Sequence, residues 1–154
     1  MKYYLLIWFV KLQFPKYWFL PTSLIYAQAI HETGNFTSSI FKENYNLFGM
    51  KQSFKTPGGF IELGTKRGHA YYKNMYDSVK DYFIRQLHFN INYENITQYI
   101  NDTFASGYAE DSKYKERWQV HYNNVSIVFK CLSYIIFPAF LYLIYSYLKK
   151  KGGL

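Results

Sequence analysis

The feature that most constrains this chain is a long uncharged run close to its C-terminus. Residues 131–148 carry no charged side chain, and lysines occupy positions 149–151. A helix needs about 20 apolar residues to cross the hydrocarbon core of a bilayer, and Lys130 can extend the run by snorkelling. The pattern predicts a transmembrane helix over residues 125–148 and a basic tail over 149–154. The alternative, a buried amphipathic core helix, is disfavoured because the run is apolar on every side.

The N-terminal segment, residues 1–19, allows two interpretations. Lys2 precedes an apolar run that extends to Val10, which is similar to the start of a signal peptide. However, Lys11 interrupts this run, and no small-residue cleavage site follows it. Alternatively, the segment packs as the first helix of the domain. The sequence leaves both interpretations open.

Composition allows one compact domain between these two ends. The chain has 154 residues, of which 49% are hydrophobic and 23% aromatic, so a dense core can form. Its single cysteine, Cys131, excludes a framework of disulfides within the chain. The net charge of +8 favours anionic partners. Nucleic acid is not expected among them, because no zinc-finger, recognition-helix or RNA-binding motif occurs.

Helix caps, turn residues and apolar spacing predict a mostly helical α+β fold. The first clear helix ends at Glu32, because Gly34 is a natural C-terminal helix stop. A β-hairpin is predicted from strands at 60–63 and 69–73, which lie next to turn-forming segments at 56–59 and 64–68. The predicted helices begin at Thr22 or Ser23, at Asp77 or Ser78 (with capping-box spacing to Asp81), near Ile96 and near Ser112.

Glu32 is the candidate acid catalyst. It lies in the last turn of its helix, where the negative end of the helix dipole disfavours an anion and raises the pKa of the carboxyl. A carboxylic acid that is protonated near neutral pH is what cleavage of a glycosidic bond requires. The alternative is an exposed glutamate at a frayed helix end.

Metal and serine-based catalysis find no support in the motifs. After His31-Glu32, Asn35 occupies the position where the zinc motif H-E-x-x-H needs its second histidine. The other histidines lack ligand spacing, and the G-x-S-x-G elbow of serine hydrolases does not occur. We therefore expect neither a metal site nor a cofactor.

Four ordered segments between Leu20 and Trp118 carry a recognisable set of motifs. They are LPTSL with AQAIHETG (from Leu20 and Ala27), NLFGMK (from Asn46), YDSVKDY (from Tyr76), and GYAED (from Gly107) with Tyr114. These segments resemble, in order, LPS…AQAILESG, NLFGIK, Y-x-S…S-v-x-D-Y and GYATD…Y of the bacterial glucosaminidases. That family, glycoside hydrolase family 73, includes autolysins, flagellar wall hydrolases and phage lysins. Thr33 and His31 depart from its usual serine and leucine.

The resemblance implies a lysozyme-like domain over residues 20–122 that hydrolyses the β-1,4 bond after N-acetylglucosamine in peptidoglycan. On this basis Glu32 is the catalytic acid, and Glu62 on the hairpin is the candidate second catalytic carboxylate. The alternative for Glu62 is a solvated strand residue. As candidate substrate-binding residues, Tyr76 and Tyr108 match aromatic positions beside the family's cleft, while Phe48 and Asn46 match the loop that supports the acid. For each of the four, the alternative is a purely structural role. The implied partners are peptidoglycan glycan strands and the membrane, with the chain a monomer of bacterial or bacteriophage origin.

The membrane prediction also fixes an orientation. The positive-inside rule places the lysines at 149–151 in the cytoplasm and the catalytic domain of this single-pass protein on the cell-wall side. Two rival functions remain. One is a lytic transglycosylase or muramidase on the same fold, with Glu32 acting alone. The other is a catalytically degenerate, membrane-anchored wall-binding or holin-like protein.

Overall fold

The computed structural model describes residues 1–53 and 60–150, and beyond residue 132 it describes only part of the side chains of the last helix. Its helices, in chain order, are α1 (Lys2–Lys11), α2 (Thr22–Glu32), α3 (Ser39–Asn44), α4 (Met75–His88), α5 (Ile96–Ala105), α6 (Tyr114–Asn124) and α7 (Ile127–Lys150). A 3₁₀ helix spans Pro15–Tyr17, and strands β1 (Gly64–Lys66) and β2 (His69–Tyr71) pair in an antiparallel sheet. The described residues thus form a mostly helical α+β fold, which fits the lysozyme-like architecture that the resemblance implies.

The central element is α2, the helix that ends at Glu32. It packs against α1, α6 and α7, and most of its residues are buried. Ala27 and Ala29 are fully buried, and small side chains such as these let neighbouring helices approach closely. The predicted side-chain cap at Thr22 or Ser23 is wrong, because the helix begins at Thr22 without a capping hydrogen bond. The preceding Pro21 instead presets the backbone at the helix entry, with φ at −60°.

The N-terminal segment forms α1, which contributes to the core beside α2 and α4. Tyr4, Ile7 and Val10 have no exposed surface. Lys11, the charge that interrupts the apolar run, is also buried, and its Nζ donates hydrogen bonds to the carbonyls of Leu20 (2.6 Å) and Trp18 (3.3 Å). This ammonium group therefore ties the end of α1 to the chain that leads into α2.

The hairpin is displaced from its predicted position. Its strands pair Gly64 with Tyr71 and Lys66 with His69, so residues 60–63 precede the first strand and do not form it. The reversal occurs at Arg67 and Gly68, which both have positive φ, as a tight two-residue hairpin turn requires. The glycines suggested a loop over 64–68, whereas this segment contains a strand and the turn. The predicted turn at 56–59 lies outside the described residues.

Helix α4 also begins earlier than predicted. It starts at Met75, and the side chain of Asn74 caps it by accepting a hydrogen bond from the Asp77 backbone N (3.0 Å). The two residues with capping-box spacing have tertiary roles instead. Ser78 Oγ accepts from the backbone N of Leu47 (2.9 Å), and Asp81 accepts from the hydroxyl of Tyr72 (2.7 Å). Helix α3 was not expected from the sequence.

The predicted transmembrane helix over residues 125–148 is wrong. Helix α7 does form there, but none of the helices in the described ranges combines enough length with enough apolar character to cross a bilayer. The start of the predicted span also belongs to the domain, because Val125 is buried in the core and the Phe129 ring packs against Tyr4. Two further predictions depended on this helix and are therefore wrong as well. They are the membrane as a partner and a single-pass location with the catalytic domain on the cell-wall side. Part of the predicted basic tail, 151–154, lies outside the described residues.

The first turn of α7 packs on the domain. The Phe129 ring lies 4.8 Å from the Tyr4 ring and 5.4 Å from the Tyr26 ring, measured between centroids. The hydroxyl of Tyr4 also donates a hydrogen bond to the Phe129 carbonyl (2.9 Å). These contacts join α1 and the start of α7 beside α2.

Candidate active site

A cavity of about 650 Å³ opens at the C-terminal end of α2. Its walls come from the end of α2, the loop after α3, the end of α4 and the loop between α5 and α6. The residues that line it are His31, Glu32, Gly49, Met50, Lys51, Gln52, Arg85, Phe89, Ser106, Gly107, Tyr108, Ala109, Glu110 and Tyr114. The volume suits a ligand of one or a few sugar rings, and aromatic side chains in the wall can cover their apolar faces.

Glu32 is held at the base of this cavity by Tyr114. The Tyr114 hydroxyl donates a hydrogen bond of 2.6 Å to Glu32 Oε1. Burial raises the pKa of Glu32 from its ordinary value of 4.5 to about 7, against the opposing effect of the Tyr114 hydrogen bond. The position at the end of α2 disfavours the anion in the same sense. The carboxyl therefore exchanges its proton close to neutral pH.

Gly49 allows the loop after α3 to reach the second oxygen of this carboxyl. Its φ is +62°, and a Cβ at this position would lie 2.8 Å from Glu32 Oε2. Any other residue would be strained and would also collide with the carboxyl. Asn46 closes the same loop, because its Oδ1 accepts from the backbone N of Met50 (3.1 Å) and its Nδ2 donates to the Met50 carbonyl (2.8 Å).

A hydrogen-bond chain through the core determines how Glu32 is held. The hydroxyl of Tyr82 donates to Gln28 Oε1 (2.7 Å), and Gln28 Nε2 donates to the hydroxyl oxygen of Tyr114 (2.9 Å). Tyr114 therefore has its own proton free to donate to Glu32 Oε1. Since Oε1 accepts, the proton of the neutral acid lies on Oε2, beside Gly49.

The same chain continues away from the cavity to a buried guanidinium. The Tyr82 hydroxyl has one proton, which it donates to Gln28. In the 3.0 Å contact between the Tyr99 and Tyr82 hydroxyls, Tyr99 is therefore the donor. Gln86 Nε2 donates to Tyr99 (2.8 Å), and Gln86 Oε1 accepts from Arg85 Nη1 (2.9 Å). Every donor in the chain thus points towards Glu32.

The predicted substrate-binding residues divide into three groups. Tyr108 lines the cavity, and its hydroxyl donates to the Phe48 carbonyl (2.6 Å). Phe48 and Asn46 are buried beneath the loop, with the Phe48 ring stacked 4.1 Å from the Tyr82 ring, so both support the loop from the core. Tyr76 is not among the lining residues, and its hydroxyl donates to Gln13 Oε1 (2.9 Å).

Glu62, the predicted second carboxylate, is also not among the residues that line the cavity. Its Oε2 accepts a hydrogen bond from the backbone N of Ser53 (2.6 Å), across the segment 54–59 that lies outside the described residues. Glu110 does line the cavity, at its mouth, where it forms an exposed ion pair with Lys51 (3.2 Å).

Sequence reasoning missed Gln28 and Arg85. Positions 82, 85 and 86 share one face of α4, and the buried Tyr82 identifies that face as inward. That periodicity was the available signal for Arg85, but a charged residue is usually assigned to solvent. Gln28 lies inside the AQAIHETG motif, where only its buried polar character distinguishes it.

His31 and the remaining histidines do not build a metal centre. The His31 ring lies 5.3 Å from the His121 ring, and burial, His121 and Arg117 lower the pKa of His31 against the opposing effect of Asp111. Within residues 1–53 and 60–150, no group of three or more His, Cys, Asp or Glu side chains is placed to hold a metal ion.

Comparison with protein-family models identifies the family to which the chain belongs. The Glucosaminidase family model, described as mannosyl-glycoprotein endo-beta-N-acetylglucosaminidase, matches residues 14–126. Comparison with curated proteins and with solved structures gave no match. The matched region includes every residue that lines the cavity and the whole hydrogen-bond chain. The resemblance seen in the motifs is confirmed, and the chain belongs to the glucosaminidase family, glycoside hydrolases that act on peptidoglycan glycan.

Proposed function

We propose that this protein hydrolyses the β-1,4 bond that follows N-acetylglucosamine in peptidoglycan, with Glu32 as general acid. The observation that carries the proposal is the arrangement of the Glu32 carboxyl. Tyr114 occupies one oxygen, and the other lies beside Gly49 on the cavity wall. A carboxyl held in this way has one oxygen free to exchange a proton with a bound ligand.

The proposed reaction uses this carboxyl twice. Near pH 7, Glu32 is protonated in a large fraction of molecules, because burial raises its pKa to about 7. Oε2–H donates its proton to the glycosidic oxygen as the bond to the anomeric carbon breaks. The ionised Glu32 then takes a proton from the water that attacks that carbon, which restores the acid. Tyr114 remains donor to Oε1 in both states.

The positive charge that develops at the anomeric carbon needs a second group. We propose either the substrate's own acetamido oxygen or the carboxylate of Glu62 for this role. The proposal for Glu62 rests on the family resemblance. Glu110 is the second carboxylate that the described cavity wall contains, so it is the direct competitor for the role.

A lytic transglycosylase is the second candidate. It is favoured by one observation: apart from the ion-paired Glu110, Glu32 is the only carboxyl among the described residues that line the cavity. In that reaction a sugar hydroxyl, rather than water, attacks the anomeric carbon, and the product is an anhydro sugar.

Digestion of purified peptidoglycan in ¹⁸O water distinguishes these reactions. We expect the full chain to release fragments with one ¹⁸O at a new reducing N-acetylglucosamine end, detected by mass spectrometry. Label on a reducing N-acetylmuramic acid end would identify a muramidase. An unlabelled anhydro end would identify a transglycosylase, and either result would refute the proposed bond.

We predict that Glu32→Gln lowers the rate on purified peptidoglycan by about 1000-fold, because the amide cannot supply the proton. Its oxygen can still accept from Tyr114, so the fold and the cavity should be retained. Glu116→Gln, which makes the same atomic change on the exposed face of α6, is the matched control and should keep wild-type activity. Wild-type turnover by the Glu32 variant would remove Glu32 from the mechanism.

The same variant should be more stable than the wild type at neutral and higher pH. The folded-state pKa of Glu32 is about 7 and its ordinary value is 4.5, so the native state binds the proton more tightly than the unfolded state. Wild-type stability therefore falls as the pH rises from 4.5 to 7, and the variant lacks this loss. Denaturant unfolding should show a difference of about 3 kcal/mol at pH 8, which shrinks towards pH 4.5.

Tyr114→Phe should move the basic limb of the pH profile of kcat/KM to higher pH. The Tyr114 hydrogen bond lowers the pKa of Glu32, so its loss raises that pKa further. The matched control is Tyr108→Phe, which removes a hydroxyl from the same cavity that donates to a backbone carbonyl. If the basic limb of the pH profile is unchanged in the Tyr114 variant, the ionisation of Glu32 does not determine that limb.

For the second group, Glu62→Gln should lower the rate by about tenfold, a smaller loss than that of the Glu32 variant, because the substrate acetamido group can partly replace the carboxylate. Glu110→Gln, measured in parallel, should have a weaker effect, since an exposed ion pair contributes little. A larger loss in the Glu110 variant would transfer the role to Glu110, and wild-type rates in both would assign it to the substrate alone.

A further inference from the structure

Arg85 carries a charge that the described fold does not neutralise. Only 5% of its surface is exposed, although it lines the cavity. The ion pairs among the described residues join Lys51 to Glu110, Lys66 and Arg67 to Glu43, and Arg117 to Asp111. None of them includes Arg85. A buried charge is costly unless something compensates it, so an uncompensated one in a ligand cavity requires an explanation.

The groups that hold Arg85 in place are neutral. Nη2 donates to Ser106 Oγ (2.8 Å) and to the Ser106 carbonyl (3.3 Å), and Nη1 donates to Gln86 Oε1. The guanidinium carbon also lies 4.5 Å from the centre of the Tyr108 ring and 4.6 Å from that of Phe89. These contacts fix the orientation of the guanidinium and leave its positive charge in place.

Neither carboxyl of the described cavity wall forms an ion pair with Arg85. Glu32 accepts its hydrogen bond from Tyr114, and its acid form is neutral. Glu110 is strongly exposed at the mouth and paired with Lys51. The compensating negative charge therefore has to come from a ligand. A planar guanidinium favours a carboxylate, which matches its fork of N–H groups.

We infer that Arg85 forms a subsite for a carboxylate of the glycan substrate. The inference rests on the proposed function and narrows its substrate class. Every second sugar of peptidoglycan carries a lactyl ether, which ends either in a free carboxylate or in a peptide that bears carboxylates. Chitin oligosaccharides present the same N-acetylglucosamine units without any carboxylate. Arg85 therefore selects the wall polymer over neutral polymers of the same amino sugar.

The test compares Arg85→Gln with wild type on three substrates: peptide-bearing strands, strands stripped of peptide by an amidase, and chitin oligosaccharides. We expect kcat/KM on a carboxylate-bearing substrate to fall by at least about 30-fold, and the fall on chitin oligosaccharides to be at least about tenfold smaller. A loss confined to stripped strands identifies the lactyl carboxylate, and a loss confined to peptide-bearing strands identifies a peptide carboxylate. Equal losses on all three substrates would show that Arg85 only supports the fold, and would overturn the inference.

A control variant, an esterified substrate and a binding measurement separate the role of Arg85 in substrate recognition from effects on folding and on turnover. Arg67→Gln removes the same charge from the hairpin, at a residue that is not among those lining the cavity, and should leave the substrate ratio unchanged. Methyl esterification of the strands should remove the preference of the wild type without any mutation, and persistence of the preference would refute the inference. Binding of native and esterified strands to the Glu32→Gln variant reports on Arg85 even if the reaction is not the proposed one, because no turnover is needed.

Discussion

The hydrogen bond from Tyr114 to Glu32 joins the carboxyl in the cavity to the core of the protein. It is the last step of a chain in which Arg85, Gln86, Tyr99, Tyr82, Gln28 and Tyr114 each donate to the next group. Reversal of one step would leave two donors or two acceptors facing each other in a buried site, which is costly. The direction of the whole chain therefore decides which oxygen of Glu32 is available to a ligand.

This arrangement sets function against stability at one residue. Glu32 ends a helix whose dipole opposes its charge, and burial raises its pKa. Gly49 adds a backbone with positive φ in direct reach of the carboxyl. The helix end and the burial are unfavourable for the anion, and together with the close approach of Gly49 they keep a titrating acid in a confined space. The surrounding aromatic packing, including the stack of Phe48 on Tyr82, supplies the compensating burial.

Features that depend on one strong local signal could be predicted from the sequence. Gly34 ends the helix that carries Glu32. The position of Glu32 at this helix end and the family motifs both pointed to its carboxyl. Its role as the acid stays a prediction. The errors arose where tertiary structure overrode local pattern. Ser78 has the spacing of a cap but binds a loop, while Asn74 caps the helix. Arg85 was missed because two of its neutral partners, Ser106 and Tyr108, come from a loop that is distant in the sequence. The run in α7 was judged by its missing charges alone, although the start of this helix packs on the domain.

The buried Lys11 has a consequence for how this domain can be delimited. Similarity to the family begins at residue 14, so a boundary drawn from similarity alone would discard α1. That cut would remove Ile7 and Val10 from the core and leave the Leu20 carbonyl, just before α2, without its ammonium partner. The region that matches the family is thus smaller than the region that forms the core, which includes α1. An expression boundary or a fusion junction should therefore keep α1 and not be placed at the edge of the family match.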